Sequence, residues 1–304
     1  MPLPGDAAAL AEKVSNWGRW GGDDERGTLN LIDSDAVRRG VSAARSGRPF
    51  SLAMPLDENG PQPRKSEGRA NPRREMITIN DSYGVVCFSD DKVTLGLQAA
   101  THWDALAHVS YDGFLYNGFP ADSITEAGAA HCGIDRVGTI VGRGVLLDVA
   151  LALGVDRLPG DHAISPDDLD AAADLGRLEI APGDVVLIRT GQMQLFHGGD
   201  KRGYWMPNPG PWIPAVEWFH SHDVAAVATD TLGFELLPGP DESWDLPVHG
   251  LCLRDMGMLQ GQNWDLEALA ADCAGDGLYE FLLEASPEPF TRALGAPVNP
   301  IAIK

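Results

Sequence analysis

Three short, almost wholly apolar runs do most to limit the fold of this chain: Gly144-Val-Leu-Leu-Asp-Val149, Asp184-Val-Val-Leu-Ile-Arg-Thr190 and Ala225-Ala-Val-Ala-Thr229. They lack the apolar/polar alternation of a strand with one wet face. They read instead as strands covered on both sides, the pattern of parallel strands flanked by helices. Helix signals fall between them. Ser165-Pro-Asp-Asp-Leu-Asp-Ala-Ala-Ala places a Ser cap before a first-turn Pro, and Ile213–His222 reads as a helix feeding the strand at 225–229. Ser34–Gly47 reads as a capped helix closed by glycine and followed by a strand at Phe50–Met54. This alternation predicts an α/β protein. No linker interrupts it, so residues 1–304 are expected to form a single domain, with the apolar end Pro297–Ile303 tied into its body. Residues 57–75, rich in Pro, Gly, Arg and Glu and without apolar periodicity, are expected to be a mobile surface loop that can act as a lid.

Composition narrows the partners. A formal charge of −21 repels phosphate backbones and anionic membrane surfaces, and only the short Arg64-Lys65…Arg73-Arg74 stretch runs against it. Nucleic acid and membrane are therefore excluded as expected partners. The N-terminus has no basic segment ahead of an apolar one, and no eighteen apolar residues run together, so a cytoplasmic location is expected. Cys87, Cys132, Cys252 and Cys273 are scattered without CxxC spacing and are read as reduced thiols.

The chemistry concentrates in Gln98-Ala-Ala-Thr-His102-Trp-Asp104-Ala-Leu-Ala-His108, which sets two imidazoles, a carboxylate and an amide among small and apolar residues with no Lys or Arg. Such groups cluster in an apolar setting when they pair, hold a metal or do acid–base work. On a strand, His102 and Asp104 share a face at a Cα separation of about 6.6 Å, within reach of one ion. Gln98 lies about 13 Å from His102 along an extended chain, so it joins them only if the backbone bends, which Ala99 and Ala100 permit. The competing reading of His102, Asp104 and His108 is a metal-free hydrogen-bond network. Trp103 and Tyr116 are candidate substrate contacts flanking the cluster, whereas Phe114 and Trp205 read as core. His131, His162, His197, His220 and His222 read as structural or solvated. Asp230 and Glu235 follow a strand and can reach the same pocket, with their role open. Gly142-x-Gly144 lacks phosphate-loop spacing and reads as a turn before a strand.

Thr101-His102-Trp103-Asp104-Ala-Leu-Ala-His108 resembles the HxGTHxDxPxH motif of the metal-dependent cyclase-like hydrolases, which include bacterial kynurenine formamidase and isatin hydrolase. The resemblance extends, in order, through Trp17-Gly-Arg-Trp-Gly…Asp24-Glu-Arg-Gly-Thr-Leu-Asn-Leu31, Tyr116-Asn-Gly118, Gly142–Asp148, Gly183–Gly191, Val248-His249 and Asn263–Glu267. It implies a swivelling β/β/α fold with a mixed sheet or barrel-like core. It implies His102, Asp104 and His249 as metal ligands and His108 as the catalytic histidine. Two positions depart from the family pattern: its first histidine falls on Gln98 and its late glutamate on Gln262. That substitution removes one imidazole and one negative charge, and Asp104 alone compensates two divalent ions poorly in a low-dielectric pocket. One divalent ion per subunit is expected, held by His102, Asp104, His249 and Gln98, with Gln262 left to contact substrate. The donor set leans toward Mn²⁺ over Zn²⁺.

The expected activity is hydrolysis of a cyclic amide, imide or lactone, or a related acyl bond, by metal-activated water with His108 as general base. The alternative is a metal-independent isomerase, lyase or cyclase using Asp104 and His108 as acid and base. A non-catalytic binder of a small molecule is the third reading. The resemblance also implies a homo-oligomer, most simply a dimer, with Trp17-Gly-Arg-Trp20 as the expected reach-over segment.

Overall fold

A computed structural model describes residues 5–63, 69–240 and 245–304. Its centre is one nine-stranded mixed sheet, in the order Pro49–Ser51, Ile301–Ile303, Glu280–Glu284, Val141–Asp148, Val185–Arg189, Ala226–Thr229, Leu259–Gln262, His102–Asp104, Gly295–Pro297. The four strands from Val141–Asp148 to Leu259–Gln262 run parallel, and the outer strands on both sides are antiparallel. The apolar runs at 144, 184 and 225 thus form the parallel centre. Alternate residues feed two cores: Val145, Leu147, Val186, Ile188 and Val227 meet the helices on one face, whereas Leu146, Leu187, Ala226 and Ala228 meet Trp103, Trp264 and Phe281 on the other.

The helix signals are realised with small shifts. Pro166–Gly176 starts from a capping box between Ser165 and Asp168, and Ile213–Ser221 leads into the next strand. The early helix is Ser34–Ala43, capped by Asp33 rather than Ser34, and it ends before Gly47 because Ala44 already leaves helical geometry. Gly142 and Gly144 lie within the strand Val141–Asp148, not in a turn before it, and the helix needs a glycine of its own to pack there. A Cβ on Gly40 would fall 2.4 Å from the Gly142 carbonyl, so helix and strand approach backbone to backbone. Both Gly295–Pro297 and Ile301–Ile303 join the sheet, which is how the apolar end is tied in.

The segment 57–75 divides. Residues 57–63 and 69–72 carry no helix or strand, 64–68 lie outside the described residues, and from Arg73 the chain is strand. Arg73–Tyr83 pairs antiparallel with Val86–Thr94. The ribbon turns through Gly84-Val85, with Gly84 at φ +66 as the first residue of a two-residue hairpin turn requires when only it takes positive φ. Its β-branched and aromatic residues are interleaved with Arg, Glu and Asp, which is why composition alone read its start as loop. Among the described residues no helix is long and apolar enough to cross a membrane.

Candidate active site

His102 and Asp104 project from one face of a three-residue strand held between Leu259–Gln262 and Gly295–Pro297, with Gln262 opposite His102, and Gln260 and Gly295 opposite Asp104. The bend expected ahead of this strand is present. Residues 97–101 are turn and bend, and Thr101 fixes them by donating to the Asn263 carbonyl and accepting from the Met54 N–H. The Gln98 amide therefore lies over Gly295, where a Cβ would fall 2.6 Å from its Nε2, on the same face as Asp104.

Asp104 is fully buried and its two oxygens face different neighbours. Oδ1 lies 3.4 Å from His102 Nε2 and 3.7 Å from His108 Nε2. Oδ2 accepts a 2.6 Å hydrogen bond from the Gln262 amide and lies 4.0 Å from His249 Nε2. Burial pushes the Asp104 carboxyl up, but His108, His102 and His249 together outweigh it and hold the group below the usual carboxylate range. It is an anion.

Both buried imidazoles are anchored at Nδ1. That of His102 lies 2.7 Å from the Ala100 carbonyl, and that of His249 lies 2.5 Å from Glu235 Oε1. Each nitrogen donates there, which turns an Nε2 lone pair toward Asp104. Glu235 also accepts from the Val248 and His249 N–H groups, so one buried carboxylate caps the short helix Pro247–His249 and orients its histidine. Desolvation pulls the His249 imidazole down, and Glu235 with Asp104 more than reverses it, leaving a more basic ring. The open role of Glu235 is thereby filled. Asp230 faces elsewhere: it accepts from Thr190 N, Thr190 Oγ1 and Gly191 N, tying strand ends together, and burial pushes it up to about 6 against those bonds.

His108 stands at the mouth, partly open, with the Arg69 guanidinium 3.4 Å from its Nε2. A guanidinium only donates, so Nε2 accepts and the proton sits on Nδ1. Asp104 raises the His108 pKa, and burial, His249, Arg69 and His102 together bring it below the ordinary value. The ring is a neutral base at neutral pH. Arg69 carried no signal in the sequence, lying in a segment without periodicity and distant from His108 along the chain. A cavity of about 380 Å³ is lined by Gln62, Asn71, Lys201, Arg202 and Trp205. Gln62 donates to the carbonyl of Ala99, the residue after Gln98.

Two candidate contacts are corrected. Trp103 alternates with His102 and Asp104 and so points to the opposite face, fully buried, with its Nε1–H on the Ala285 carbonyl and its ring edge-on to Trp264. Tyr116 is also fully buried, with its hydroxyl on Asp24 and its ring against Gly257, where a Cβ would fall 2.4 Å away. Both are core residues, whereas Trp205 is exposed at the cavity and Phe114 lies edge-on to Trp17 at the surface. The remaining histidines are as expected: His162 and His197 pair with Asp168 and Asp265, His131 stacks on Phe119, and His222 packs on Trp218.

As the side chains stand, no three His, Cys, Asp or Glu donors among the described residues converge to hold a metal. On the side of His249, the Gln262 amide nitrogen lies between Asp104 Oδ2 and His249 Nε2, 3.3 Å from the latter. The other half of the site does fit a cation. His102 Nε2 and Asp104 Oδ1 are buried without hydrogen-bond partners, and at 3.4 Å apart an imidazole nitrogen and a carboxylate oxygen can share one divalent ion.

The sequence profile of the Cyclase family matches residues 50–236. A crystal structure described as a novel cyclase is 38% identical, covering 97% of this chain and 99% of its own, at a TM-score of 0.89. Isatin hydrolase A from Ralstonia solanacearum is 20% identical over 84% of this chain and 91% of its own, at a TM-score of 0.64. A structure described as a potential metal-dependent hydrolase with cyclase activity is 18% identical over 84% of this chain and 96% of its own, at a TM-score of 0.55. No curated protein matches the chain.

Proposed function

Because the chain belongs to the cyclase family of enzymes, we propose that it is a hydrolase that opens a cyclic amide, imide or lactone, or a related acyl bond, at the His102–Asp104–His108 centre. The observation that carries this reading is the buried, unpartnered pair His102 Nε2 and Asp104 Oδ1 beside a neutral His108. His102 and Asp104 would hold one divalent ion, Mn²⁺ in preference to Zn²⁺, with His249 joining them once the Gln262 amide turns aside and Gln98 at the rim. Bound there, the ion supplies Lewis acidity toward the scissile carbonyl and lowers the pKa of water. The described metal-dependent hydrolase and the isatin hydrolase of the same fold support this assignment.

The chain's own groups do the rest. With Arg69 turned from His108 Nε2 toward the substrate, that nitrogen takes the proton of the attacking water and returns it to the leaving nitrogen or oxygen. Asp104 Oδ1, 3.7 Å from that nitrogen, stabilises the imidazolium that forms. The Ala100 carbonyl and Glu235 keep the Nε2 lone pairs of His102 and His249 aimed inward. Arg69 faces the position where negative charge develops on the carbonyl oxygen. The cavity walled by Trp205 and Gln62 takes the body of the substrate.

Elemental analysis and a chelator test on a panel of cyclic amides, imides and lactones check the reading. Activity is expected to fall to background in chelator and to return with Mn²⁺. A metal-free isomerase, lyase or cyclase is the second reading, favoured by the Gln262 amide that already satisfies Asp104 Oδ2. Full activity in chelator, with no metal in the protein, would establish it in place of the first.

The two glutamines set the capacity of the site. Gln262→Glu would put two carboxylates in contact, which a divalent ion or a shared proton stabilises, and Gln98→His adds an imidazole on the same face. The unmodified protein is expected to bind at most one divalent ion per subunit. The double variant should bind Mn²⁺ more tightly, by more than the sum of the single effects because both changes act on one site. Titration calorimetry reads both quantities, and two ions per subunit in the unmodified protein would sink the idea.

A further inference from the structure

The helix Ser34–Ala43 buries Ala36, Gly40 and Ala43 and leaves a charged face outside. On that face Asp35, Arg38 and Arg39 recur at the three- and four-residue spacing of helix neighbours, and with Arg45, Arg143 and Glu280 they line a cavity of about 460 Å³. Four guanidiniums share one cavity. This concentration runs against the composition of a chain whose acidic residues outnumber its basic ones by 44 to 23.

The charges of the cavity do not balance. Arg143 gives Nε and Nη2 to the two oxygens of the fully buried Asp184 and Nη1 to Glu280, Arg45 reaches the other oxygen of Glu280, and Arg38 pairs with Asp35. Three carboxylates thus serve three guanidiniums. Arg39 is the fourth: it donates from Nη2 to the neutral Pro182 carbonyl, lies 3.9 Å from an Asp184 already taken by Arg143, and has its Nε buried without a hydrogen-bond partner. An orphaned donor on a charged group is costly, and an oxyanion in the cavity satisfies it.

We propose that this cavity binds the phosphate group of a small phosphorylated molecule. A phosphate dianion offers three oxygens to Arg39 and its neighbours Arg38 and Arg45, whereas a carboxylate offers two oxygens and a single charge. The exposed pairs Arg38–Asp35 and Arg45–Glu280 hold their arginines weakly, so both can turn to the ligand. Arg143 stays fixed beneath them. The volume is that of a pocket for a whole small molecule, and the net charge of −21 turns away a polymer of phosphates.

The site is remote from the acid–base centre. Arg143 lies near the start of the strand Val141–Asp148, whereas Gln262, opposite His102, ends a strand of the same parallel set, and four strand spacings of about 4.8 Å separate Val141–Asp148 from His102–Asp104. The proposal therefore stands or falls apart from the hydrolase reading.

Titration calorimetry of the full chain with inorganic phosphate and with glycerol phosphate, at constant ionic strength, tests it. One phosphate per chain should bind with the same affinity in the presence and absence of chelator, and succinate should bind more weakly. Arg39→Gln should weaken phosphate about 10–100-fold, the loss expected of charge-assisted hydrogen bonds. Should that variant misfold, Arg38→Gln with Arg45→Gln decides, because both side chains are more than half exposed and dispensable to the fold. Absence of phosphate binding at millimolar concentration, binding abolished by chelator, succinate bound more tightly than phosphate, or affinity unchanged in the folded variants overturns the proposal.

Discussion

Replacing His108 by alanine is expected to lower kcat by about 10²–10⁴-fold, the usual contribution of a positioned general base, while the protein keeps its fold and its metal. The geometry separates His108 from the ligands. His102 and His249 are buried and pinned at Nδ1 by Ala100 and Glu235, whereas His108 is partly open, with Arg69 against its Nε2 and no partner on Nδ1. Asp104→Asn should act differently. It removes the anion on which three imidazoles converge, so metal and activity should be lost together. Steady-state kinetics paired with metal analysis of both variants checks the assignment. Metal lost from His108→Ala would make His108 a ligand, and full metal content in Asp104→Asn would favour the hydrogen-bond network without metal.

Glu235 is the second place where a single change is expected to act strongly. Its carboxylate accepts from the Val248 N–H, the His249 N–H and His249 Nδ1–H, all buried. Glu235→Ala strands three donors, each costing about 1–3 kcal/mol, so a stability loss above about 3 kcal/mol is expected in denaturant titration. Glu235→Gln keeps the shape and removes the charge that makes the His249 ring more basic. Metal affinity should then fall about 10–100-fold, as for other residues that orient a metal-bound histidine. Unchanged metal affinity in Glu235→Gln would reduce Glu235 to a helix cap.

The parallel centre of the sheet was legible because strands covered on both faces leave unbroken apolar runs, and the Ser165-Pro166 start was legible because capping is local chemistry. His102 and Asp104 were legible for the same reason, being two residues apart on one strand. The alternation that places them on one face also sends Trp103 to the other, and applying it to all three would have kept Trp103 in the core. Glu235 and His249 find each other across fourteen residues, and Arg69 reaches His108 from thirty-nine residues away. No spacing rule connects such pairs. The hairpin was hidden by its charged residues, although Tyr83-Gly84-Val85-Val86 carried a turn signal between two β-branched stretches.

The strand that carries His102 and Asp104 has as its neighbours a strand from residues 259–262 and another from residues 295–297, and the Gln262 to Asp104 hydrogen bond spans 158 positions of sequence. Loop closure over such spans comes late in folding, after local helices and the consecutive parallel strands have formed. On a ribosome the acid–base centre therefore cannot assemble until residues 259–262 and 295–297 have emerged. A nascent chain that has emerged only through the strand Ala226–Thr229 carries His102, Asp104 and His108 and still has no site.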